Sequence, residues 1–111
     1  MDTLSEIRQV ADDLRKVDRI AQQAAEALGP VVRDLKNARL RARARVLDED
    51  PKMRLPDVDM RVELDENVQA LADREIELSW QLKAAKETAH SLRQILHALD
   101  GARRTEQFIT R

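Results

Sequence analysis

Apolar residues recur every seven positions along the N-terminal half of the chain: Ile7, Leu14, Ala21, Leu28, Leu35 and Ala42. A second such column occupies the C-terminal half: Leu64, Leu71, Leu78, Ala85, Leu92 and Leu99. A period of seven sustained over five to six heptads is a helical signature and fits no strand. Flanking columns reinforce it, with Val10, Val17, Ala24, Val31 and Ala38 beside the first and Val68, Leu82, Ala89 and Leu96 beside the second. The composition agrees. Trp80 and Phe108 are the only aromatic residues, Gly and Pro total five, and 37% of the 111 residues are charged. Sheets lean on aromatic and β-branched residues, whereas Ala, Leu, Arg, Glu and Gln favour helix.

The expected fold is therefore all-α: an antiparallel two-helix hairpin of long, coiled-coil-like helices, dimerising into a four-helix bundle. One domain spans residues 1–100, with a first helix over 4–47, a loop over 48–58 and a second helix over 59–100. Residues 101–111 form a basic C-terminal tail. Thr3-Leu4-Ser5-Glu6 fits a capping box, in which the Thr3 hydroxyl accepts the Glu6 amide. Asp57 or Asp59 can cap the second helix, and Gly101 stands where a C-terminal glycine would end it. As helices the two segments would each span about 63–66 Å, matched lengths for a hairpin. Pairing residues whose numbers sum to 106 sets Ile7 by Leu99, Ala21 by Ala85, Leu35 by Leu71 and Ala42 by Leu64. Gly29-Pro30 lies inside the first helix. The heptad phase continues across it, so a kink is expected rather than a break. The same register puts Trp80 near Gly29-Pro30, where glycine leaves room for an indole.

Residues 38–64, ARLRARARVLDEDPKMRLPDVDMRVEL, admit other readings. The first is a helix end, a loop stopped by Pro51, and a second helix. A second has period two: Leu40, Ala42, Ala44 and Val46 alternate with arginines, and Val58, Met60, Val62 and Leu64 alternate with charge. Two such strands would pair Arg with acid across a β-hairpin. That layout is similar to prefoldin subunits, although no motif of that family is present. A third treats Arg39, Arg41, Arg43 and Arg45 as a nucleic-acid patch, since basic clusters supply salt-dependent affinity. No aromatic is interleaved for base stacking, however, acids crowd both sides, and the net charge is −1.

Candidates for chemistry are few. There is no cysteine, hence no thiolate ligand or nucleophile. His90 and His97 are two helical turns apart, about 10.5 Å, too far to share one metal. The carboxylates read as solvated helix surface, and no glycine-rich phosphate loop is present. No catalytic residue, cofactor or metal site is expected, and the chain reads as a non-enzyme. No apolar run reaches the roughly 18 residues of a membrane helix, and no secretory h-region follows Met1. A cytoplasmic protein is expected, without membrane association. Arg outnumbers Lys 15 to 5, which suits a GC-rich bacterial or phage genome.

Ile76, Trp80 and Ala84 form a second stripe at four-residue spacing, off the main seam. The apolar face is then wider than a lone hairpin covers. The expected partner surface is Ile76, Trp80 and Ala84, with Phe108 and Ile109 of the tail. The expected function is non-catalytic: a protein–protein interaction or assembly protein, structural, adaptor or inhibitor, pairing with itself or another protein. The alternative is a nucleic-acid accessory factor acting through Arg39–Arg45. Ser79-Trp80-Gln81 lacks the glycine of the Trp-Xaa-Gly secretion substrates, and no family is assigned.

Overall fold

The computed structural model describes residues 2–109, except for the side chain of Phe108. Among these residues there are three helices and no strand: α1 (Thr3–Glu49), α2 (Leu55–Glu63) and α3 (Glu66–Ile109). The long helices α1 and α3 pack against each other. Packing divides the chain into two compact units, residues 1–24 with 81–111, and Ala25–Trp80.

In the first unit, α1 and α3 run antiparallel. Arg93 Nη2 donates to Asp18 Oδ1 at 3.0 Å, and Thr3 Oγ1 donates to Glu106 Oε1 at 3.0 Å. The numbers in these pairs sum to 111 and 109, about one helical turn from the expected 106. Half-buried Ile7, Val10, Leu14, Val17 and Ala21 lead to buried Ala24 on α1, facing a stripe on α3 that includes buried Ala85 and Ala89. Spacings alternate between three and four, the narrow two-in-seven seam of a coiled coil. The cap of α1 is Asp2, one residue before the expected Thr3: Asp2 Oδ1 accepts the Ser5 amide at 2.7 Å. That bond and the Ser5 side chain hold the Asp2 carboxyl below its ordinary 3.8. Thr3 is instead engaged with Glu106. Through Ile109 the C-terminal tail is helical and continuous with α3 rather than a separate segment. Gly101 lies inside α3 without a positive φ. Around it, Arg104 pairs with Asp100 at 3.0 Å, and Thr105 Oγ1 donates to the Gly101 carbonyl at 3.0 Å.

In the second unit, α1 continues through Gly29-Pro30 without a break, as the unbroken phase required. Its arginine-rich end is helical to Glu49, so the two-residue alternation does not form a β-hairpin. Alanine and arginine are poor strand formers and good helix formers. The turn is short. Asp50 Oδ1 accepts the Lys52 amide at 3.2 Å, and Pro51 ends α1. Leu55-Pro56 then starts α2, with proline in its first turn as helix starts favour. Much of the expected loop is therefore helix. The chain breaks again at Leu64-Asp65, where Asp65 Oδ1 accepts the amides of Asn67 and Val68 at 3.0 and 3.1 Å and caps α3. Leu35, Ala38 and Ala42 of α1, Val58 and Val62 of α2, and Val68 of α3 form the core, flanked by Leu71 and Ala72. Leu35 and Leu71 thus share a cluster, but Leu64, the expected partner of Ala42, lies outside it. The break shifts the column, and Leu64 is 63% exposed.

Candidate functional site: the α1–α2–α3 groove

In the second unit α2 is short, so its two buried residues, Val58 and Val62, cover only part of α1. Beside it lies an open groove of about 460 Å³. Its floor is Leu35 and Val62, its apolar shoulders are Val32 and Leu40, and Glu75 of α3 closes one side. Val32 and Leu40 are on one α1 stripe, 47% and 58% exposed. The seam accounts for this. Leu35 and Ala38 use the two-in-seven positions facing α2 and α3, so apolar residues off those positions have no helix to meet.

The arginines have a structural use. Arg39 grips Glu63 of α2 with two bonds, Nε to Oε1 at 2.8 Å and Nη2 to Oε2 at 3.4 Å. Arg43 reaches Asp59 at 3.5 Å, and Arg45 reaches Asp65 at 2.7 Å. From the other side, Arg61 of α2 approaches Glu49 at 3.9 Å. The alternating charge is thus matched helix against helix rather than across strands. These pairs are about half exposed, so each contributes less than about 1 kcal/mol. Together they fix the direction of α2. Of the four candidate nucleic-acid residues, Arg41 alone has no ion pair among the described residues.

Ile76 and Trp80 are exposed, at 55% and 65%, and neither lines the groove. The space around a Cβ position on Gly29 is open for at least 4 Å, so the Trp80 indole does not fill the room that this glycine leaves. Ala84 is exposed, as is Ile109 at 75%. The side chain of Phe108 lies outside the described residues. His90 and His97 are exposed, and among the described residues no group of three or more His, Asp or Glu is placed to hold a metal ion.

Val32 belongs to a flanking heptad column and Glu75 falls in the Val68 column as a charged exception, whereas Leu40 lies off the columns. In the sequence Val32 is one more member of the α1 face, and Leu40 belongs to the alternating stretch. The signal that marks them is their spacing, with Lys36 midway between Val32 and Leu40 on one helical stripe. In comparisons with known proteins, no family model, no curated protein and no solved structure matches the chain. Among the described residues, no helix is long and apolar enough to cross a membrane.

Proposed function

We propose that this is a non-catalytic protein–protein interaction or assembly protein of the cytoplasm, acting through the apolar surface of residues 25–80. One observation carries the reading. In that unit seven hydrophobic residues are buried, Leu35, Ala38, Ala42, Val58, Val62, Val68 and Leu78, two of them alanines. An equal number of large ones, none of them alanine, are exposed: Val32, Leu40, Leu55, Met60, Leu64, Ile76 and Trp80. Of these, Val32 and Leu40 line the groove, and exposed apolar residues in this number on one small unit are a mark of a surface that another protein covers. The nucleic-acid alternative is weakened because Arg39, Arg43 and Arg45 are each matched to an acid.

The test is affinity capture with the wild-type chain and with a Leu40→Asp/Trp80→Asp chain as bait. Capture of protein, untagged copies of this chain included, should survive a rise from about 50 to 200 mM salt and disappear with the substituted bait. Phosphate-mediated binding falls steeply over that range. Retention of nucleic acid that is lost with salt and with Arg41→Ala, while the substituted bait behaves like wild type, would overturn the proposal.

A further inference from the structure

The groove holds three cationic and three anionic side chains. Four of them are matched, Arg39 with Glu63 and Arg43 with Asp59. Lys36 and Glu75 remain, and neither makes a hydrogen bond or ion pair among the described residues. Lys36 stands one turn from Val32 and one turn from Leu40, so its charge sits inside an apolar stripe. Glu75 stands seven residues after buried Val68, half-buried where the heptad calls for an apolar side chain. A carboxylate held against apolar surface is costly unless it meets a cation.

We propose that the groove binds a second copy of this chain about a two-fold axis, with Lys36 against the partner's Glu75 and Glu75 against the partner's Lys36. This rests on reading the surface as a protein interface and names its occupant. An acidic or a basic partner would satisfy one of the two charges and repel the other. A two-fold copy satisfies both, because an isologous contact pairs each residue with its counterpart reciprocally. Val32 and Leu40 flank Lys36 and would be covered by the same contact.

The charges allow a test by mixing. A Lys36→Glu chain carries acid at both positions, and a Glu75→Lys chain carries lysine at both. Each alone faces like charge across the two-fold axis, so its dimer should weaken at least about tenfold. An equal mixture should form heterodimers, because each contact then joins opposite charges. A pair made within one chain could not produce that recovery. Light scattering reads the mass, native mass spectrometry the composition, and circular dichroism the folding of each variant. If a reversal unfolds the chain, Lys36→Gln and Glu75→Gln serve instead: mixing them restores one Lys36–Glu75 contact that neither homodimer has. A wild type that stays monomeric at high micromolar concentration overturns the inference, as does a dimer indifferent to both reversals. A monomer that still captures a foreign protein through Leu40 overturns the second copy and leaves the broader reading standing.

Discussion

Leu78 and Trp80 are two residues apart on α3 and meet opposite conditions, 2% and 65% exposed. Their placement follows from about 100° of rotation per residue, which turns Trp80 away from the seam that Leu78 occupies. Leu78→Ala should cost about 2–5 kcal/mol in urea unfolding followed by circular dichroism, the range for a buried leucine. Trp80→Ala should cost less than about 1 kcal/mol, and the indole should be open to acrylamide in dilute protein. A shielded Trp80 with a large loss on truncation would contradict this placement. The main columns of buried residues were legible because a seven-residue period suits the seam between two helices and suits no strand. Two caps were not legible. Thr3 has the better capping-box pattern, yet its hydroxyl is engaged by Glu106 from the far end of the chain, and Asp2 caps in its place. Asp65 sits just before the run that begins at Glu66, a helix-start position hidden by a column that continues in sequence through Leu64.

At the scale of elements, α2 is the part the heptads concealed. Val58 and Val62 are one turn apart and fit a short helix, but the prolines around them also punctuate loops. What separates the two is packing on α1, which no local pattern contains. The arginine–acid complementarity was visible in the sequence, and it is realised between helices rather than across strands. Both glycines lie inside helices with negative φ and open space around the position of a Cβ. Glycine there loses backbone entropy that alanine would not. Gly101→Ala should therefore stabilise the fold by about 0.5–1 kcal/mol, seen as a raised Tm, whereas at Gly29 an alanine Cβ would meet the Pro30 ring that follows it and no such gain is expected. Had Gly101 been a left-handed terminal residue, alanine would destabilise it.

For the whole molecule, the defining property is apolar surface in excess of what the helices of the second unit cover. The groove was not legible in the sequence, because it exists only once α2 docks, whereas Ile76 and Trp80 announce themselves by residue type but do not line it. The most direct test places a benzophenone photo-crosslinking residue at position 40 in cells that express the chain, with position 87 on α3 as a control. The account predicts protein adducts from position 40 and few from position 87. An adduct of twice 12.8 kDa would identify a second copy, and any other mass a foreign partner. No adduct from position 40 under conditions where position 87 reacts as often or more would contradict the claim that this surface is a protein interface.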